Sequence, residues 1–219
     1  MNVGRRFQGT SDHPLNERGR SQARAAGEVL AARLTTPSKQ VGVFGAQHRA
    51  AGVRVVSSPL SRAVETAGIV SESLATRGVL VGGPMMRAGL IERAYGDFEG
   101  HDIEEVRALW PDALAQWQDG GESEDAGVEP ASRVGARMRD AVLDLAGECG
   151  GGETLLVVSH GGAISRGVVS LLGLDAGVFQ GLRGLDNCHW AEMVPDPRGP
   201  HGWRLASYNI GAREDVLGA

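Results

Sequence analysis

Two short polar segments stand where a phosphate group could be held. Ser58-Pro59-Leu60-Ser61-Arg62 follows the run Val53-Arg54-Val55-Val56-Ser57, and Ser159-His160-Gly161-Gly162 follows Thr154-Leu155-Leu156-Val157-Val158. Both runs are rich in branched apolar residues and read as buried strands. In an open α/β sheet, ligands bind beyond the carboxyl ends of the strands. A helix that starts there offers unpaired N–H groups to an anion, and an arginine fork matches phosphate oxygens. A histidine at a strand tip can donate to phosphate or carry a proton. Taken singly, Arg62 says little, because an arginine in a first helical turn is more commonly just solvated. His160 says more, since packing poorly explains a polar residue among small ones after a buried strand. Glu92, in Leu90-Ile91-Glu92-Arg93, reads by itself as a surface acid, and Gly96 and Gly100 as turn glycines.

The elements that would position these residues follow from apolar spacing. Asn16 is suited to cap a helix in which Ala23, Ala26, Leu30 and Leu34 recur three or four residues apart. Ala63, Ala67, Val70 and Leu74 mark a second helix after Ser57, and Val134, Met138, Val142 and Leu145 a third. Ile164, Val168 and Leu172 mark another, directly after Ser159-His160-Gly161-Gly162. Asp102–Leu109 reads as a helix that stops before Pro111, and Thr35–Gly52 as a surface insertion. Met85–Gly100 has no clear period. Gly120–Pro130, acidic and glycine-rich, is expected to be a mobile surface loop. His189–Val194 and Trp203–Tyr208 are expected to pair as a late hairpin across Pro195–Gly202. Strands alternating with helices, with no repeat and no second composition regime, predict one domain over residues 1–219. Its fold class is α/β, a three-layer α/β/α sandwich with a mostly parallel sheet.

Composition narrows the functional classes. The 219 residues carry a formal net charge of −5, which gives no electrostatic reason to bind nucleic acid or an anionic membrane. An anionic substrate needs only a few convergent arginines; of the 22 basic residues only Lys39 is a lysine, an arginine bias that reads as coding composition and not as a site signal. The two cysteines, Cys149 and Cys188, are far apart and form no CxxC pair, so neither a disulfide framework nor a zinc cluster is expected, and a cytoplasmic location is. The opening residues have no signal-peptide pattern, and no apolar run reaches the ~20 residues of a membrane span.

Five blocks together resemble the histidine phosphatase superfamily, the phosphoglycerate mutase-like enzymes. Ser57-Ser58-Pro59-Leu60-Ser61-Arg62-Ala63-Val64-Glu65-Thr66-Ala67 looks like its SSxLxRAxxTA motif. Glu92-Arg93-Ala94-Tyr95-Gly96-Asp97-Phe98-Glu99-Gly100 is similar to its E-x-x-x-G-x-x-E-G segment. Gly120-Gly121-Glu122-Ser123 matches its GGES, Val157–Gly162 its VVSHGG, and Pro14–Ala23 its PLTExGxxQA helix start. They occur in the family's order.

The resemblance implies a cofactor-free, metal-independent phosphatase that acts on a small phosphorylated metabolite through a phosphohistidine. Glu92 would act as general acid and base, and His160 would stabilise the transferred phosphoryl group. Arg62 and Asn2 would grip its oxygens, with Arg6 and the backbone at Gly161 as further contacts. Gln8 and Gly9 would line the substrate pocket, and a homodimer is conceivable. The family's nucleophile is the histidine of an Arg-His-Gly motif at the end of the first, central strand. Asn2–Gly9 matches only the tail of that block, and no Arg-His-Gly occurs elsewhere in the chain. The first strand is therefore expected upstream of Met1, and the chain as written is expected to be close to inactive. A misplaced start is favoured over a phosphate-binding pseudoenzyme, because Asn2, Arg62, Glu92 and His160 all keep the family pattern. A phosphoglycerate mutase is the alternative activity. Against it, Gln118-Asp119-Gly120-Gly121-Glu122 is acidic where mutases carry basic residues for a bisphosphate. Asn187-Cys188-His189-Trp190 and Gly202-Trp203-Arg204-Leu205 resemble actinobacterial members that include phosphatases of sugar-phosphoglycerate compounds.

Overall fold

A computed structural model describes residues 6–35, 52–120 and 122–212. Most of the predicted surface insertion lies outside these residues. The first helix, α1, runs Glu17–Thr35 and is capped as expected, with Asn16 Oδ1 accepting the Gly19 N–H at 2.8 Å. Strand β1 (Gly52–Ser57) leads into α2 (Ser61–Thr76), then β2 (Val81–Met86). Helices α3 (Ile103–Leu109), α4 (Pro111–Gly120) and α5 (Ala131–Gly147) follow. Strand β3 (Glu153–Val158) leads into α6 (Gly161–Leu171), and the chain closes with β4 (Trp190–Pro195) and β5 (Trp203–Ile210).

Side-chain alternation along the strands builds the three layers. Val53 and Val55 of β1, with Leu156 and Val158 of β3, pack against Ala31 of α1 and Ala67, Val70 and Leu74 of α2. Val56, with Leu155 and Val157, points the other way, onto Val134, Met138 and Leu145 of α5 and Ala163 of α6. The sheet is parallel in the order β2-β1-β3, and β1 pairs with β3 residue for residue from Gly52 with Glu153 to Ser57 with Val158. A satellite core of Phe98, Val106, Leu114, Ala126 and Val128 sits under the 95–128 region, with Phe7 against Tyr95, Phe98 and Trp117.

Three elements depart from the sequence reading. Strand β2 contains Gly82, Gly83 and Pro84, residues that disfavour strands, and it forms because β1 supplies the pairing partner at an edge, where proline is tolerated. Helix α3 stops at Leu109, before Pro111, as read, but Pro111 then opens a further helix, α4, as its first residue, where its missing N–H costs nothing. The 122–130 stretch is a loop of turns, but it does not lie wholly on the surface. Ser123, Ala126 and Val128 are buried, and Gly96 lies so close to it that a Cβ there would meet the Ala126 carbonyl oxygen at 1.9 Å.

The antiparallel hairpin β4–β5 pairs with neither edge of the parallel sheet. Among the described residues, β3 is bonded to a strand on one side only. All six residues of β3 are half-buried, whereas five of six in β1 are buried. A cavity of about 1220 Å³ opens beside β3, walled by Ala26, Leu30, Val70, Leu156, Val158 and Trp190. No helix among the described residues is long and apolar enough to cross a membrane.

Helices α5 and α6 pack closely at Gly135, where an added Cβ would meet Ser170 Oγ at 2.3 Å and the Arg166 carbonyl oxygen at 3.0 Å. Gly135→Val should therefore destabilise the fold by about 1–3 kcal/mol through overpacking. Urea unfolding checks this, and an unchanged midpoint would contradict the packing described.

Candidate active site

The register of β1 against β3 brings the two polar turns together. Ser58 N–H donates to the Val158 carbonyl at 2.8 Å, so Ser58–Arg62 and Ser159–Gly162 emerge side by side at the carboxyl end of the sheet. Arg62, in the first turn of α2, donates through Nε to His160 Nδ1 at 3.3 Å. An arginine can only donate, so Nδ1 carries the lone pair and the ring proton is on Nε2. That Nε2–H donates to Ser58 Oγ at 2.8 Å. His160 is 8% exposed, and burial, with the charges of Arg62 and Arg137, depresses its pKa to about 3. The imidazole is a neutral tautomer held at both nitrogens.

Glu92 completes the cluster from an irregular segment. Its carboxylate accepts the N–H of Ala163 at 2.7 Å and of Gly162 at 3.2 Å, at the start of α6, and of Arg93 at 2.8 Å. Burial nonetheless dominates these anion-stabilising contacts and the attraction of Arg62, and it raises the Glu92 carboxyl above the usual range. The group is thus biased toward the protonated form beside an arginine and a neutral imidazole. Arg62, Glu92 and His160 all face the cavity beside β3.

The remaining predicted residues are distributed unevenly. Gly9, at φ +52°, gives its carbonyl to Arg62 Nη2 at 2.9 Å, and Ser11 gives its carbonyl to Nη1 at 2.7 Å. Gln8 and the backbone at Gly161 line the same cavity. Arg6 also borders it, but its guanidinium is committed to Glu105 at 2.6 Å and to the Gly100 carbonyl, away from the Arg62–His160 pair. Asn2 lies outside the described residues. Among the described residues, no three His, Cys, Asp or Glu side chains are grouped to hold a metal ion.

Three positions escaped the sequence reading because each acts over a long sequence separation. Ser58 Oγ accepts the His160 Nε2–H and so holds the ring whose tautomer Arg62 sets. Asp12 accepts the Ser61 N–H at 2.8 Å and its hydroxyl at 2.7 Å, closing the start of α2 from a loop 49 residues away. Glu99 accepts N–H and hydroxyl donors from both Thr10 and Ser11, and the Tyr95 N–H at 3.1 Å. Burial opposes the charge on Glu99, but these hydrogen bonds outweigh it and hold the carboxyl below its usual range. Glu99 thereby fixes the loop whose carbonyls grip Arg62.

The sequence matches the histidine phosphatase superfamily (branch 1) across residues 1–211. The chain belongs to this superfamily. It is 31% identical to a glucosyl-3-phosphoglycerate phosphatase of Mycolicibacterium vanbaalenii, over 99% of this chain and 93% of that protein. It is 32% identical to a 2,3-bisphosphoglycerate-dependent phosphoglycerate mutase of Methylobacterium radiotolerans, over 79% of this chain and 74% of that one. In structure it is similar to a mycobacterial glucosyl-3-phosphoglycerate phosphatase complexed with inorganic phosphate, with a TM-score of 0.73 and 28% identity over 94% of this chain and 92% of that one. The superfamily assignment and these likenesses agree with the phosphoglycerate mutase-like α/β fold read from the sequence.

The His160 environment makes a pH prediction. An unfolded histidine titrates near 6.5, the folded one near 3. Between those values the unfolded chain binds a proton that the folded chain does not, so this group removes stability as pH falls through that window. NMR of the His160 ring should show the neutral Nε2–H tautomer down to at least pH 5. A midpoint near 6.5 would contradict the buried geometry.

Proposed function

We propose that this superfamily member is a metal-independent phosphomonoesterase that works through a phosphohistidine, its attacking imidazole carried on an Arg-His-Gly segment that the 219 residues do not include. The observation that carries the reading is the carboxyl of Glu92, biased toward protonation by burial and held against α6 beside Arg62 and His160. In the first step the imidazole nitrogen attacks phosphorus, the bond to the ester oxygen breaks, and Glu92 gives its proton to the departing alkoxide. In the second, water attacks the phosphorus, Glu92 takes the water's proton, and the P–N bond breaks to release phosphate. Arg62 offsets the charge on the phosphoryl oxygens. To do so it must exchange its contacts with the Gly9 and Ser11 carbonyls for the substrate, and His160 must turn a ring nitrogen toward it.

The side of β3 that is unpaired among the described residues, and the apolar wall of the cavity there (Ala26, Leu30, Leu156, Val158), support a place for the histidine-bearing strand. A parallel strand paired there would end level with His160. Without that strand, the 219-residue chain should turn over phosphomonoesters only at background rate. The substrate class we infer is a small phosphorylated metabolite, a phosphate ester of the glucosyl-3-phosphoglycerate kind named for the mycobacterial relatives. A mutase is disfavoured by the segment that follows Trp117, which supplies Asp119 and Glu122 instead of cations. Glu122 is occupied in accepting the Ala131 N–H at the start of α5.

Adding an upstream segment that carries Arg-His-Gly should confer p-nitrophenyl phosphate hydrolysis that survives EDTA. Loss of activity with EDTA, or equal turnover by the 219-residue chain, would overturn the proposal. In the extended protein, Glu92→Gln should lower kcat for alkyl phosphates about 10²–10⁴-fold. Nitrophenyl phosphate should be affected far less, since nitrophenolate leaves without protonation. Equal losses for both would remove Glu92 from the acid role.

A further inference from the structure

The segment that carries Glu92 has no ladder of its own. Residues 87–99 contain two short 3₁₀ turns, Ala88–Leu90 and Gly96–Phe98, joined by irregular backbone. Carbonyl oxygens in such a stretch need partners from elsewhere, and an unsatisfied buried one is costly. Ser159 Oγ serves the Leu90 carbonyl at 2.7 Å, and one side chain serves three others. Arg137, on α5, donates through Nη1 to the carbonyls of Gly89 at 3.0 Å and Ile91 at 2.6 Å, and through Nη2 to that of Glu92 at 3.1 Å. Its other two donors go to Glu129, Nε to Oε1 and Nη2 to Oε2, each at 2.9 Å. A guanidinium has five N–H donors, and here all are used.

Glu129 is tied to the same segment by its own main chain and by its carboxylate. Its N–H donates to the Ala94 carbonyl at 2.9 Å, and its Oε2 accepts the Ala94 N–H at 3.3 Å. Its carbonyl accepts Arg93 Nε at 2.7 Å. Burial works against the Glu129 charge, but the hydrogen bonds and charge of Arg137 outweigh it and keep the carboxyl below the usual range. The pair is itself half-buried or deeper, with side-chain exposures of 20% and 15%, so water screens it little.

We propose that Arg137 is a positioning residue for Glu92: its planar fork, anchored by Glu129, fixes the backbone of residues 89–92 and so sets where the Glu92 carboxyl meets the start of α6. This rests on the general-acid reading of Glu92, and Arg137 itself touches neither substrate nor reacting atoms. A lysine cannot replace it, because three donors on one nitrogen cannot span three carbonyls and a carboxylate.

The test follows Glu92 directly in the 219-residue chain, so it does not depend on turnover. With glutamate labelled at Cδ, Arg137→Lys should shift the Glu92 resonance and move the Gly162 and Ala163 amides, while amides of β1 stay in place. Unchanged Glu92, Gly162 and Ala163 signals in a folded Arg137→Lys protein would overturn the proposal. Should that variant not fold, Glu129→Gln keeps the arginine on its three carbonyls but loosens its anchor. It should shift the same signals in the same sense by less, and unchanged signals there would equally overturn it. In an active, extended form, Arg137→Lys should lower kcat for alkyl phosphates about 10²-fold. KM should move less than about twofold and nitrophenyl phosphate should be largely spared, a split that general destabilisation does not produce.

Discussion

The in-register parallel pairing of β1 with β3 is the constraint on which the site depends. It aligns Ser57 with Val158, so both strands end at one level and both chains turn into helices there. Arg62 and His160 are 98 residues apart in sequence and 3.3 Å apart in space because of this register. A slip by one residue would turn every side chain of one strand to the other face. It would exchange the contacts of Leu156 and Val158 with α1 and α2 for those of Leu155 and Val157 with α5 and α6. The two apolar faces therefore hold the register, and the register holds the site.

Electrostatics at that point are organised by exclusion of water. Arg62 is partly buried, and burial disfavours its charge, against which the attractions of Glu92, Asp12 and Glu99 work. Its guanidinium is satisfied by the carbonyls of Gly9 and Ser11, which Glu99 holds in place. His160 is kept neutral by the same burial and by the neighbouring cations. Glu92 is pushed toward its acid form despite three N–H donors. Two titratable groups are thus moved in opposite directions within one pocket, the arrangement expected where one group must give up a proton at neutral pH and another must not take it.

How much of this was legible in the sequence depended on range. Local signals sufficed for α1 and its Asn16 cap, for β1 and β3, and for the turns after them, because β-branched runs and helical spacing are local properties. The convergence of Arg62 with His160 followed from two strand-to-helix turns in one parallel sheet. What could not be read were elements made by partners distant in the chain. Strand β2 exists because β1 pairs with it, the 122–130 stretch is buried because Phe98 and Val106 pack beneath it, and Arg137 acts on carbonyls 45 to 48 residues away. Arg6, grouped with the phosphate contacts by its motif, lines the same cavity with its guanidinium on Glu105 and the Gly100 carbonyl, partners far along the chain.

Binding of inorganic phosphate tests the central claim, that Arg62, His160 and the start of α6 form one phosphate site. Titrated into the 219-residue chain and followed by NMR, phosphate should move the His160 ring signals and the amides of Gly161, Gly162 and Ala163 together, with one dissociation constant. In Arg62→Met that response should be lost while the fold persists. Phosphate shifts that avoid His160, or that survive Arg62→Met unchanged, would contradict the account.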